Sequence, residues 1–191
     1  MANLYLEVFF MQKKSKPAFS LRLTVALAML VAISIILGKY LAFSVGEVLR
    51  FSFENLPIIF AGIAFGPLAA VLVAVCADLV GCLLVGFTPI PLVTVGAAVT
   101  GLISGLIPLV FGDGDKRRSR LSITLTASIS HLFGSVIVKT LGLATFYDMN
   151  IFILILWRIL NYAIVASLEA VILCLLLKNR AVKEQITKIK S

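Results

Sequence analysis

Six stretches of this sequence, at about 20–38, 54–66, 67–85, 91–111, 121–141 and 151–177, are almost free of charge, and only short polar blocks separate them. That pattern constrains the fold more than any other feature. Of 191 residues, 61% are hydrophobic and 14% are charged. A soluble domain carries about 25% charged residues, so this chain cannot dress a globular surface. Its mean hydropathy is +1.11. The natural solvent for such runs is a bilayer, whose hydrocarbon core a helix crosses in about 20 residues. The expected fold class is an all-α membrane protein, a bundle of six transmembrane helices. Residues 1–19 read as an N-terminal segment, 20–178 as the membrane domain and 179–191 as a basic tail. No polar stretch is long enough for a separate soluble domain.

The second run is short, and only Gly66-Pro67 parts it from the third. Glycine followed by a proline that opens a helix is a stop-and-restart signal. Charge supports the same division. Basic clusters lie at Lys13, Lys14, Lys16 and Arg22, at Lys116, Arg117, Arg118 and Arg120, and at Lys178, Arg180, Lys183, Lys188 and Lys190. If all three are cytoplasmic, an even number of spans separates each from the next. Four spans and then two satisfy this, with both termini inside. A single kinked helix over 54–85 breaks the parity.

Four cations fall outside the clusters: Lys39, Arg50, Lys139 and Arg158. In the six-span arrangement all four sit at or near the outer side, against the positive-inside bias. For Lys39 and Lys139, reaching the headgroups is one reading. For Arg50 and Arg158, an ion pair with Glu47, Glu54 or Asp148 is another. The alternative for all four is a positive pocket open to the outside, where guanidinium groups grip carboxylates in a fork. Helical spacing favours a cavity. Ser128, His131, Ser135 and Lys139 share one face of span five, and Arg158, Asn161 and Tyr162 share one of span six, beside Trp157. Asp78 lies near the middle of span three. Polar faces in lipid turn inward. Glu169 reads as structural, and His131 as a hydrogen-bonded bundle residue or a ligand contact. Around the mouth, Arg50, Phe53, Glu54 and Asn55 precede the second run, Thr88 lies in the proline-bounded loop "GFTPIP", and Tyr147 in "GLATFYDMN".

Several functions are excluded or left without support. The net charge of +8 does not indicate nucleic acid, because the basic residues are dispersed between apolar runs. Cys76, Cys82 and Cys174 lie inside those runs without metal-ligand spacing. No phosphate-cradling glycine loop and no zinc-protease motif occurs, so neither a cofactor nor a metal is expected. "GDGDKRR" at 112–118 reads as a turn before a basic anchor. The N-terminal lysines resemble a signal peptide's charged region, but no convincing cleavage site follows Gly38, so the first run is expected to stay as a span.

Six short helices, Ala28 and Ala32 spaced A-x-x-x-A in the first, and "PIIFAGIAFGPLAAVLVAVCADLVG" across the second and third together resemble the substrate-binding S component of an energy-coupling factor (ECF) vitamin transporter. The likeness runs from about residue 20 nearly to the end. "LRFSFENLPIIFAG" and "WRILNYAIV" look most like the folate branch. The resemblance implies a multi-pass subunit of the cell membrane that binds a vitamin and is not an enzyme. It would dock on a transmembrane coupling protein served by two cytoplasmic ATPases, with Ala28 and Ala32 on the docking face. Candidate substrate contacts are Arg50, Phe53, Asn55, Asp78, Thr88, Lys139, Tyr147, Arg158 and Asn161. Phe53, Tyr147 and Trp157 could stack on rings, Asp78 or Asn161 could pair with a pterin edge, and the cations could hold carboxylates. The competing expectations are another vitamin or precursor (riboflavin, biotin, a queuosine precursor), a small channel, or a lipid-modifying enzyme.

Overall fold

The computed structural model describes residues 20–45, 49–112, 116, 118–147 and 150–190, with backbone alone at 43–45, 49, 50 and 190. Helix α1 runs Leu21–Tyr40, and its last turn, Ile36–Tyr40, widens to π geometry. A short antiparallel hairpin follows. Its strands are β1 (Phe43–Val45) and β2 (Leu49–Phe51), with Phe43 opposite Phe51 and Ser44 opposite Arg50. Then come α2 (Asn55–Phe65), α3 (Pro67–Leu84), α4 (Pro91–Val110), α5 (Arg120–Tyr147), α6 (Ile151–Lys178) and α7 (Arg180–Lys190). The middle of α5, His131–Val138, is also π-helical.

Local chemistry sets the breaks. Ser20, Ser119 and Asn150 cap α1, α5 and α6 by accepting from the backbone N–H of Leu23, Ser122 and Phe152. Such caps satisfy donors that a helix start leaves without partners. Gly66 sits at φ 103, a conformation glycine adopts without the Cβ penalty. Pro67 is the first residue of α3, where its missing N–H costs nothing. The junction is a turn between two helices, as the sequence predicts.

Helix α2 departs from expectation. Five helices are long and apolar enough to cross a membrane, and α2, with eleven residues, is not among them. At 1.5 Å per residue it is about 16 Å long, roughly half a hydrocarbon core. It is sheathed by its neighbours instead, with Asn55, Pro57, Ile58, Ile59 and Ala61–Ala64 all buried. A helix wrapped by protein can be apolar on every side without reaching both membrane surfaces.

Small residues let the helices close on it. A methyl at Gly101 of α4 would lie 2.7 Å from the Ala70 carbonyl of α3, and one at Gly105 would run into the Pro67 backbone. The i, i+4 stripe of Ala97, Gly101 and Gly105 is therefore an internal packing seam. By contrast, Ala28 and Ala32 lie on an uncovered face of α1. Leucine, isoleucine, valine and phenylalanine side chains cover much of the remaining outside of the bundle.

Two further segments differ from the sequence reading. The block between the first two apolar runs, 39–53, is not a plain connection but contains the end of α1 and the hairpin. The region read as a basic tail is the helix α7. Its Ile186 is buried with Ile59 and Ile63 of α2 and Leu173 and Leu177 of α6. Arg22 Nη1 also donates to the Lys188 carbonyl at 3.4 Å, joining α7 to the start of α1.

Candidate functional site

At the hairpin end of the bundle the helices part around a cavity of about 280 Å³. The end of α1 contributes Lys39, the approach to α2 contributes Ser52 and Glu54, and α3 contributes Asp78 and Cys82. Phe87, Thr88 and Ile90 come from the α3–α4 loop, and Val93 from α4. From α5 come Lys139, Leu143 and Tyr147, and from α6 come Trp157, Arg158, Asn161 and Tyr162. Charged and polar side chains come from α1, α3, α5 and α6, and aromatic rings from α5, α6 and the α3–α4 loop.

Both π-helical segments carry or adjoin a lysine of this cavity. Lys39 is in the first, and Lys139 immediately follows the second. A π turn shifts the hydrogen-bond ladder by one residue, and such bulges gather at functional sites. Arg158 Nη1 donates to the Ser135 carbonyl within the second π segment, at 2.8 Å. The same bulge explains a departure on α5. His131, Ser135 and Lys139 are buried, but Ser128 is exposed, because the wider turn rotates the lower half of the helix away from the shared face.

The charges are arranged as a partly neutralised set. Lys139 Nζ donates to Glu54 Oε1 at 2.8 Å. Ser34 Oγ donates to the Glu54 carbonyl at 2.6 Å and fixes that residue against α1. Asp78 Oδ2 accepts from Thr94 Oγ1 at 2.6 Å. Lys39 Nζ lies 3.9 Å from Cys82 Sγ, and the Arg158 guanidinium is 6.0 Å from the Tyr162 ring centre. With Lys139 balanced by Glu54, Lys39 and Arg158 face the single carboxylate of Asp78, which leaves the described lining with a positive excess. Glycines make room for these long side chains. A Cβ at Gly96 would lie 2.6 Å from Lys139 Cγ, one at Gly38 would lie 2.8 Å from Glu54 Cβ, and one at Gly81 would lie 3.0 Å from Lys39 Cε.

Of the residues singled out from sequence, Asp78, Thr88, Lys139, Tyr147, Arg158 and Asn161 line this one cavity. Asn55 does not line it. It is fully buried at the start of α2, where its Nδ2 donates to Ser135 Oγ at 3.4 Å. Phe53 is half-buried and outside the lining. Arg50 lies on β2, but its side chain falls outside the described residues, as do Glu47 and Asp148. Glu54, weighed as a partner for Arg50 or Arg158, pairs with Lys139, while the Arg50 side chain lies outside the described residues. Lys39, offered from sequence as one of four cations of an outer pocket, and Glu54, placed at its mouth, also line the cavity, whereas Ser52 and Cys82 were missed. The i, i+4 step from Asp78 to Cys82 was a usable signal for the last.

A model of the family described as ECF transporter, substrate-specific component, matches residues 22–177. The chain belongs to this family. It is thus a membrane-embedded transporter component that binds a substrate. Solved S components share its fold. A crystal structure of FolT bound with folic acid aligns with a TM-score of 0.65 and 22% identity, covering 80% of this chain and 90% of that one. An S component of a bacterial ECF transporter aligns with a TM-score of 0.59 and 21% identity, covering 82% and 98%. No curated protein matches the sequence.

Proposed function

We propose that this S component is the high-affinity folate-binding subunit of an ECF importer. The observation that carries the reading is the cavity: several aromatic rings, cations in excess and the Asp78 carboxylate held by Thr94, in a fold shared with a protein that binds folic acid. Folate combines a flat pterin, a benzoyl linker and a glutamate with two carboxylates. Arg158 and Lys39 are suited to the carboxylates. Asp78 is suited to the amino-pyrimidinone edge, with Asn161 beside it. Trp157, Tyr147 and Tyr162 supply ring faces. Thr88 sits at the mouth, and Lys139 acts with Glu54 as a paired floor.

Energy for transport comes, on this reading, from a coupling protein carrying two cytoplasmic ATPases. The exposed Ala28–Ala32 face of α1 is the docking surface, and both termini are cytoplasmic in a cell membrane. The test uses Trp157, the one tryptophan in the chain, which lies on the cavity wall. Purified subunit is titrated with folate, riboflavin and biotin while its fluorescence is followed, corrected for ligand absorbance. Saturation near one folate per protein, abolished in Arg158→Ala, is the expected result. A response to riboflavin or biotin with none to folate overturns the folate assignment and leaves the family intact.

A further inference from the structure

We infer that the groove between α5 and α6, at the end of the bundle opposite the cavity, binds one anionic phospholipid. The groove measures about 400 Å³, with Arg120 and Lys178 at its rim and Thr124, Val171 and Leu175 among the residues along its walls. On α6 it extends from Lys178 down to Ser167, eleven residues, or about 16 Å at the helical rise. That is roughly half of a 30 Å hydrocarbon core, the depth of a single leaflet. Its polar end is at the membrane surface and its apolar end points toward the bilayer centre, the polarity of a lipid in that leaflet.

Charge selects the class of lipid. Neither Arg120 nor Lys178 has an ion pair among the described residues, and Arg180 nearby is already paired with Glu184 at 2.9 Å. Arg120 is also the first residue of α5, where the helix dipole presents its positive end. A phosphodiester with a neutral remainder therefore gains on both sides. A zwitterionic headgroup would bring its own cation to a rim already basic. Basic pockets between helices on one membrane face are a recurrent setting for anionic headgroups. A second groove at this end, between α1 and α7, is less suited, since its Arg22 already donates to the Lys188 carbonyl.

The purified full chain is delipidated and offered phosphatidylglycerol, phosphatidylcholine or inorganic phosphate. Retention is read by native mass spectrometry, and stabilisation by the shift in melting temperature. One phosphatidylglycerol per chain is expected, preferred over phosphatidylcholine by about tenfold or more. Arg120→Gln combined with Lys178→Gln should erase that preference. Val171→Trp, at an exposed position that fills the groove, should lower retention of both lipids while the lipid-free melting temperature stays put. Equal retention of the two lipids by the native chain overturns the proposal. So does an unchanged preference in the double variant, or full retention in Val171→Trp should the double variant not fold. Protection by inorganic phosphate equal to that by lipid would show an anion site without an acyl component, and would overturn it too.

Discussion

Helix α5 holds two acid–base pairs two turns apart, and they live in different worlds. His131 Nε2 and Glu169 Oε2 lie 2.6 Å apart with side-chain exposures of 2% and 0%. Lys139 and Glu54 lie 2.8 Å apart with exposures of 7% and 29%. The first pair is sealed between α5 and α6, beneath the Tyr162 ring, whose centre is 4.9 Å from that of His131. Neither His131 Nδ1 nor Glu169 Oε1 has a further partner among the described residues. The second pair opens on the cavity and can answer to a ligand. Similar distances therefore do not imply similar roles. A sealed pair ties helices together, because removing one partner strands the other. A cavity pair sets the charge that an entering molecule meets.

The sharpest way to break this comparison is Glu169→Ala. Losing one member of a sealed pair should cost about 3–5 kcal/mol, read as a large fall in melting temperature of the purified subunit. Folate affinity per folded molecule should change little. Replacing both His131 and Glu169 by leucine should recover much of the loss, since an apolar pair leaves nothing unpaired. An unshifted melting temperature in Glu169→Ala would erase the distinction.

Lys139→Met tests the other side. It leaves the Glu54 carboxylate facing an anionic ligand, so folate affinity should fall at least tenfold, about 1.4 kcal/mol, with a smaller thermal shift than Glu169→Ala. Calorimetry on the two variants in parallel decides it. Next in size is Gly96→Ala, whose new methyl meets Lys139 Cγ and the Gly134 carbonyl. Overpacking of this kind costs about 1–3 kcal/mol, and both stability and affinity should fall moderately. Smallest for the isolated subunit is Ala28→Trp with Ala32→Trp, on an uncovered face. Melting temperature and ligand binding should stay as they were, while uptake in the reconstituted complex is lost.

How legible each region was in the sequence follows from the range of the forces involved. The apolar runs and the Gly66-Pro67 break were readable because solvent and local backbone sterics impose them. Grouping Asp78, Lys139, Arg158 and Asn161 into one site was readable because a polar face in lipid must turn inward. The Lys139–Glu54 pair was not readable. It spans 85 positions and depends on how far each helix is rotated, which a π bulge changes without any composition signal. The half-height of α2 was missed because a run sheathed by protein looks as apolar as one facing lipid. Helix α7 was hidden by its lysines. Val182 and Ile186 repeat at i, i+4 and pack on the core, but counting charge made the segment a tail. The hairpin strands are three residues each, too short for their alternation to stand out.

The shortness of α2 has an electrical consequence. Its far end turns at Gly66-Pro67, against Gly105 near the end of α4, while its first residue, Asn55, touches Ser135 in the middle of α5. On the proposed orientation, with Gly66-Pro67 at one membrane surface, the Glu54 end of the cavity is about 16 Å from that surface, roughly half of the hydrocarbon core. A charge crossing a whole membrane works against roughly 2.3 kcal/mol per 100 mV. On that orientation, an anion bound beside Glu54 would already have traversed about half of that drop while doing nothing more than binding. Its affinity should therefore respond to membrane voltage, and the step that later carries it inward faces only the remaining half.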